Sequence, residues 1–179
     1  MDNKCGCPCH HLVTTPKQVL HDDVNLHVAS GAVLLGSTLQ ADYPLIAPLP
    51  SYGVGRDVPT DLRYRPLIFA SNVTNFSLTG DGMDSGSLVD GQGESWWLKH
   101  FAKLLNYSRP RLVECMFCRD FRVADLTLQD SPFWTVHPCV HRALTMGRTA
   151  PSVFPWSALG CACASLVCAW SAWVSTPYS

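Results

Sequence analysis

Aromatic side chains are the residues of this chain best suited to bind a sugar. Trp96 and Trp97 are adjacent, and Trp134 lies shortly before His137. An indole face packs well on the apolar face of a pyranose ring. These four residues are therefore the candidate substrate-binding residues. For Trp97 the plainer hypothesis, that it packs a helix onto the rest of the fold, is favoured.

A second chemical candidate is a group of soft metal ligands near the start of the chain, namely Cys5, Cys7, Cys9, His10 and His11. Thiolates and imidazoles bind zinc and copper. The Cys-x-Cys-x-Cys spacing lacks the wider gap of a zinc knuckle, and no second ligand pair follows at a suitable distance. We therefore predict no metal and no cofactor, and we interpret residues 1–23 as an irregular Cys/His-rich leader. A small metal-binding protein remains the alternative.

Three sequons bear on the compartment, with acceptor asparagines at Asn72, Asn75 and Asn106. They are usable for glycosylation only in the secretory pathway. The first residues, MDNKCGCPCHH, carry no apolar run behind the lysine, so no signal peptide is visible. Nine cysteines fall into three groups without a spaced framework, and no disulfide scaffold is predicted.

Charge and composition exclude several classes of protein. The net charge is -1 and charged residues make up 15%, so there is neither a basic surplus for nucleic acid nor an acidic run for disorder. The length of 179 residues suffices for one domain with a core. Thirteen prolines and twelve glycines favour a turn-rich β protein over a helix bundle.

The candidate residues must be positioned by strands. Residues 109–138 hold two short apolar runs, 112–117 and 121–128, on either side of a polar turn at 118–120. Alternation in the second run predicts one half-buried strand. Its residues are expected on two faces, with Phe121 and Val123 on one, and Arg122, Ala124 and Leu126 on the other.

A repeat extends this pattern upstream. Residues 66–80 align without gaps on 111–125 at an offset of 45 residues. The aligned pairs are Leu67 with Leu112, Ile68 with Val113, Ala70 with Cys115, Asn75 with Asp120, Phe76 with Phe121 and Leu78 with Val123. Val33 and Leu34 sit about one further interval upstream. A strand–turn–strand unit that cannot bury its own face, stacked on copies of itself, is typical of a solenoid, so we predict an all-β parallel β-helix.

Other segments connect these units. Residues 24–36 predict two strands that turn at Ser30-Gly31, and the proline-rich segment 37–65 predicts an ordered surface loop. Residues 94–105 predict one short helix. Its apolar face is expected to contain Trp97, Phe101, Leu104 and Leu105.

The last part of the chain differs from the rest. Residues 140–179 carry no charge after Arg148, and we interpret them as an irregular apolar tail unrelated to the coils. The segment 153–174 is long enough to span a bilayer. Pro155 and the lack of a flanking basic cluster argue against a membrane anchor, and non-native coding is the favoured explanation.

Taken in order, the motifs from Leu35 to Pro138 resemble family 28 glycoside hydrolases, the polygalacturonases, and most closely their plant-type branch. The matching pieces are Gly36-Ser37, Asp42-Tyr43-Pro44, residues 48–53, Gly55-Arg56-Asp57, Arg63-Tyr64-Arg65, Asn72-Val73-Thr74, residues 89–93, Trp96-Trp97, Ser108-Arg109-Pro110 and residues 131–138. The resemblance implies a right-handed parallel β-helix over residues 24–139. It also implies a secreted or cell-wall protein with pectin as its partner, and we expect a monomer.

Family members hydrolyse polygalacturonate with inversion, which needs a carboxylic acid on one side of the bond and carboxylates opposite it. The motifs that supply these groups in the family lie downstream of the Ser-Pro-Phe-Trp stretch, and residues 140–179 contain none of them. Asp22-Asp23 lies too early to match. We therefore assign no catalytic residue and predict an N-terminal part of a polygalacturonase-like protein that is inactive alone. The alternative is a non-catalytic fragment that binds pectin or is anchored by its tail.

Overall fold

The computed structural model describes residues 20–49, 62–139, 143–147 and 149–151. In chain order its elements are β1 (Asn25–Val28), β2 (Val33–Leu35), β3 (Leu45–Ile46), β4 (Arg63–Tyr64), β5 (Ile68–Ser71), β6 (Thr74–Gly80), β7 (Leu88–Asp90), α1 (Glu94–Phe101), β8 (Val113–Met116), β9 (Arg119–Ala124), β10 (Leu126–Gln129), β11 (Val136–Cys139), β12 (Leu144–Met146) and β13 (Thr149–Pro151).

Successive coils of the chain stack to form three parallel sheets. Sheet A has the order β5-β8-β11, sheet B the order β1-β6-β9-β12, and sheet C the order β2-β7-β10-β13. Three coils contribute one strand to each sheet: β5, β6 and β7 form one coil, β8, β9 and β10 the next, and β11, β12 and β13 the one after. The coil before them contributes β1 to sheet B and β2 to sheet C. This winding is a parallel β-helix, as predicted.

The 45-residue repeat is the stacking register of two coils. Ile68 pairs with Val113 in sheet A, and Phe76 pairs with Phe121 in sheet B. The earlier strand does not follow this interval, because Val33 pairs with Leu88 in sheet C. The expectation that Val33 and Leu34 repeat the same unit one interval upstream was therefore wrong. The coil that begins with β5 is longer than the coil after it, because α1 is inserted between β7 and β8.

The interior is filled by the inward-facing apolar residues of the three sheets. Phe76 and Phe121, partners in the register of sheet B, stack with ring centroids 5.2 Å apart. The coil corners use left-handed backbone, with φ 56° at Asn72, 55° at Asn75 and 54° at Asp120. Asn and Asp tolerate this conformation better than other non-glycine residues, because their short polar side chains can form local hydrogen bonds.

The predicted single strand over residues 121–128 is two strands. Asp125 has φ 61°, and it separates β9 from β10 at a corner of the coil. The corner shifts the alternation by one residue, so Leu126 and Leu128 face the same interior as Phe121 and Val123. The assignment of Leu126 to the opposite face was therefore wrong.

The helix is shorter than predicted and buries a different side chain. α1 ends at Phe101, and Trp96 is its one fully buried residue. Phe101 and Leu104, expected on the packing face, are 72% and 70% exposed. A sequence period cannot reveal which side of a short helix faces a neighbour contributed from elsewhere in the chain.

A second apolar cluster lies under α1 and explains why Trp96 is the buried residue of the helix. Tyr43, Tyr64, Trp96 and Leu105 form it, with Tyr43 and Tyr64 each edge-on to Trp96 at 5.2 Å and 5.0 Å. Burial raises the pKa of Tyr43 to about 12, and nearby Asp42 adds to the shift. The segment 37–65 is thus not a surface loop throughout, since its described parts also form the antiparallel pair β3–β4.

The coils extend beyond the predicted boundary at residue 139. β12 pairs with β9 and β13 pairs with β10, so the described residues up to 151 continue the winding where an unrelated tail was expected. Within the described part of the chain, α1 is too short to cross a membrane. The leader cysteines and the segment 153–174 lie outside the described residues.

A disulfide was missed by the sequence analysis. Cys115 and Cys118 are joined across the corner between β8 and β9. The intervening Phe117 has φ 55°, which turns the chain sharply enough for the two cysteines to meet inside the coil. The Cys-x-x-Cys spacing was visible in the sequence, but its burial in a β-helix corner was not.

We predict that Phe121→Ala lowers the free energy of unfolding by about 3–5 kcal/mol, because it removes a buried ring and leaves a cavity beside Phe76. Urea denaturation followed by fluorescence measures the change. The neighbouring Arg122 is exposed, and Arg122→Ala is the matched control, expected within about 0.5 kcal/mol of the parent. Equal losses in the two variants would contradict the assigned stacking.

Candidate functional site

The outer face of sheet A carries a group of buried charged residues. Val113 and Cys115 face the interior, so Glu114 between them projects outward. Its neighbours in the sheet register are Phe69 on β5 and His137 on β11. One row across three coils therefore places an aromatic ring, a carboxylate and an imidazole side by side.

Glu114 is fully buried and is surrounded by cations. Its Oε1 accepts a hydrogen bond from Nη1 of Arg63 at 2.7 Å. Its Oε2 lies 3.1 Å from Nε of Arg111 and 3.2 Å from Nδ1 of His137. We call Arg63, Arg111, Glu114 and His137 the buried ion cluster. A charge in such a place is tolerated only when it is paired in this way.

The ionisation of Glu114 follows from this environment. Burial by itself raises the pKa of the carboxyl, but the hydrogen bond with His137 and the charges of Arg111 and Arg63 outweigh it. The pKa of Glu114 is therefore held below its ordinary value of 4.5. At neutral pH Glu114 is a carboxylate, and its chemical role is that of a counter-ion to the arginines.

Arg63 reaches the cluster from outside the coils. It lies on β4, and its Nε donates to the carbonyl oxygen of Ala47 at 2.9 Å, beside the partner strand β3. Its Nη2 also lies 3.4 Å from the sulfur of Met116. A single side chain thus ties the β3–β4 segment to the outer face of sheet A.

A second arginine lies in an aromatic sandwich next to the cluster. The guanidinium carbon of Arg109 is 3.9 Å from the ring centroid of Trp97 and 4.6 Å from that of Phe133. Its Nη1 donates to the carbonyl oxygen of Pro132 at 3.0 Å. Such cation–π contacts strengthen when the cation is removed from water, as it is here.

The four predicted sugar-binding residues come together only in part. Trp96 is fully buried under α1, and His137 is buried against Glu114, so neither offers a surface to a ligand in this structure. Trp97 is half-buried, and its Nε1 donates to the carbonyl oxygen of Ser131 at 2.9 Å. Trp134 is half-buried and stacks near His137, with centroids 6.1 Å apart.

The acceptor asparagines of the three sequons, Asn72, Asn75 and Asn106, are all exposed. Nδ2 of Asn75 donates to Oδ1 of Asp23 at 2.7 Å, so this amide takes part in a contact between coils. Near the site, Sγ of the buried Cys139 lies 3.1 Å from Nδ1 of His137.

Another group of carboxylates lies where sheet C meets α1. Burial first, and then the charges of Asp90 and Glu94, raise the pKa of Asp130. Oδ2 of Asp90 accepts a hydrogen bond from Gln129 on the adjacent strand at 2.8 Å. The main chain of Asp130 also accepts the N–H of Gly93 at 2.7 Å. These contacts hold the start of α1 against the next coil.

Comparison with known proteins agrees with this architecture. The family model described as "Glycosyl hydrolases family 28" matches residues 7–146. The chain belongs to glycosyl hydrolase family 28. The match passes residue 139, in agreement with β12 as a continuation of the coils. It also begins inside the segment 1–23 that was predicted as a leader.

Individual relatives are polygalacturonases by name. A "Probable polygalacturonase" from Vitis vinifera is 45% identical over 111 residues, which cover 62% of this chain and 22% of that protein. The chain therefore spans only about a fifth of the length of this curated relative.

Solved structures share the fold at low sequence identity. The polygalacturonase from Erwinia carotovora ssp. carotovora superposes with a TM-score of 0.59 at 21% identity, over 79% of this chain and 39% of its own. The hyperthermoactive exopolygalacturonase from Thermotoga maritima gives 0.58 at 19% identity, over 79% and 38%. At these identities the likeness shows the parallel β-helix fold.

Of the buried ion cluster, sequence reasoning singled out only His137. Arg63 entered only as part of a motif, and Glu114 was treated as part of an apolar run. A single carboxylate inside such a run is a signal of a buried ion pair. A strand residue between two apolar, inward-facing neighbours points to the outer face, and that face is often covered by another segment. The sequence could not show which cations cover it.

We predict that Glu114→Gln lowers the free energy of unfolding at pH 7 by about 3–5 kcal/mol, because Arg63 and Arg111 lose their buried counter-charge. Denaturant titration measures the loss. The exposed Glu94 supplies the matched control, and Glu94→Gln should change stability by less than about 0.5 kcal/mol.

The pH profile gives an independent check. Because the folded pKa of Glu114 is lowered, its contribution is complete above the unfolded value of 4.5 and is lost as pH falls through the folded pKa. The parent should therefore lose stability below about pH 4.5 more steeply than Glu114→Gln. Parallel acid profiles for the two proteins would contradict the ionised state of Glu114.

Proposed function

We propose that this chain supplies coils of a polygalacturonase-type scaffold, and that polygalacturonate is the substrate of that scaffold. The observation that carries the proposal is the row on sheet A, which ends at His137 on β11 beside the half-buried Trp134. In the family the catalytic motifs follow this stretch. A further coil stacked on β11 would place its outward residues next to His137.

The proposed role of the described coils is support. Inverting hydrolysis needs two carboxyl groups on opposite sides of the scissile bond. Glu114 is buried and ion-paired, which suits it to fix arginines and not to protonate a leaving group. Rigid positioning of a neighbouring catalytic residue is the contribution such a platform makes to a rate.

A non-catalytic function is the second candidate, and the charge of the site favours it. Arg63 and Arg111 are paired with the single carboxylate of Glu114, and Arg109 lies over the ring of Trp97, so these residues together leave an excess of positive charge beside Trp97. A galacturonate chain is a polyanion with apolar ring faces. Stacking on Trp134, combined with attraction to this positive charge, would bind the galacturonate chain without cleaving it.

The setting we propose is the cell wall, where pectin occurs. The exposed sequons and membership of family 28 both support export. We expect a monomer. A membrane anchor over residues 153–174 is the less favoured alternative, and partition of a chain lacking that segment between detergent and aqueous phases would distinguish the two.

We predict that the purified chain releases no reducing ends from polygalacturonate above the level of a heat-treated sample. Colorimetric assay over a range of pH and chain concentrations measures release. Turnover that scales with protein concentration would contradict the assignment of a support role.

Binding is tested separately by electrophoresis through gels that contain polygalacturonate. Retardation is expected, and it should weaken in high salt and in a gel of fully methyl-esterified pectin. Trp134→Ala should weaken it about 2–10-fold, from loss of an aromatic contact. The exposed Leu39, outside the aromatic group, provides a control, since Leu39→Ala should leave retardation unchanged. Equal retardation of both variants would exclude Trp134 as the contact.

A further inference from the structure

An exposed phenylalanine stands at a corner of the β-helix. Phe117 connects β8 to β9 in left-handed backbone with φ 55°, a conformation that bulky residues rarely adopt. Its ring is 41% exposed, although it forms part of the tight corner closed by Cys115 and Cys118. A polar residue would suit both the left-handed backbone and the solvent exposure better. The exposed ring is therefore a candidate contact surface for another group.

The same corner of the preceding coil holds Asn72. β5 ends with Ser71 paired to Met116, and the next residues are Asn72 and Phe117. The N–H of Asn72 donates to the carbonyl oxygen of Met116 at 2.9 Å, and the φ of Asn72 is 56°. The two corners are therefore superposed, and adjacent strands lie about 4.8 Å apart. Asn72 and Phe117 therefore occupy neighbouring positions on adjacent coils, and both residues are exposed.

Asn72 is also the acceptor of the sequon Asn72-Val73-Thr74. We propose that Asn72 carries an N-linked glycan and that the first N-acetylglucosamine packs its apolar face on the ring of Phe117. Nδ2 of Asn72 loses one proton and forms a bond to the anomeric carbon of a lipid-linked oligosaccharide, whose lipid pyrophosphate leaves. The sugar then covers apolar ring surface that the protein itself leaves open.

The structure separates this sequon from its neighbour. Asn75 lies at the next corner position between Asp23 and Asp120, and its Nδ2 is hydrogen-bonded to Asp23. A glycan there would crowd two acidic side chains and a contact between coils. At Asn72 the neighbour on the following coil is an aromatic ring. The inference rests on export, which the proposed function also implies, but not on binding of any polysaccharide.

The test uses the full chain exported by a yeast host behind a cleavable leader. Glycopeptide mass spectrometry should find a glycan on Asn72, and Thr74→Val should abolish it, since the hydroxyl is removed at nearly constant shape. Thermal unfolding of the parent is then compared after two treatments. An endoglycosidase that leaves one N-acetylglucosamine should preserve the melting temperature. Complete removal by an amidase, which converts Asn72 to Asp, should lower it by about 2–4 °C.

Phe117→Ala is the partner variant, and it should remove the dependence of the melting temperature on the first sugar. The Asn72→Asp variant, which carries no glycan at this position, should have the same melting temperature as the amidase-treated parent. An unmodified Asn72 in the exported chain would overturn the proposal. An equal fall in melting temperature on complete deglycosylation of the parent and of Phe117→Ala would also overturn it. The trimming series on the parent needs no variant, so the test stands even if one variant fails to fold.

Discussion

A single buried carboxylate constrains the outer face of this β-helix. Glu114 projects from the middle of a strand whose neighbours are apolar, and it has no contact with water. Removing an ion from water costs several kcal/mol unless partners replace the hydration. Arg63 and Arg111 are those partners, and His137 is the third. Meeting this requirement ties the β8 coil to the β11 coil and to the β3–β4 segment.

This constraint explains the arrangement around it. Because Arg63 reaches Glu114, the described parts of the segment 37–65 are held against the coils, and Tyr43 and Tyr64 pack against Trp96. Arg109, two residues before Arg111, is held between two aromatic rings. The result is a group of buried, paired charges next to β11.

The winding could be predicted because a β-helix repeats its own register. Ile68 and Phe76 matched Val113 and Phe121 in the sequence for the reason that they pair in space. What failed was decided either by the backbone of a single corner residue or by contacts between distant segments. The reversal at Asp125 depends on a left-handed residue, which alternation does not encode. The burial of Trp96 instead of Phe101 depends on tyrosines from another part of the chain. Glu114 could have been noticed, but its arginines could not have been assigned.

The most direct test of the central claim is a double-mutant cycle between Arg63 and Glu114. The free energy of unfolding is measured for the parent, for Arg63→Met, for Glu114→Gln and for the double variant. If Glu114 holds Arg63 on sheet A, the two losses should be non-additive, with a coupling of about 2 kcal/mol or more at pH 7. A coupling below about 0.5 kcal/mol would contradict the account, because the two residues would then contribute to stability independently.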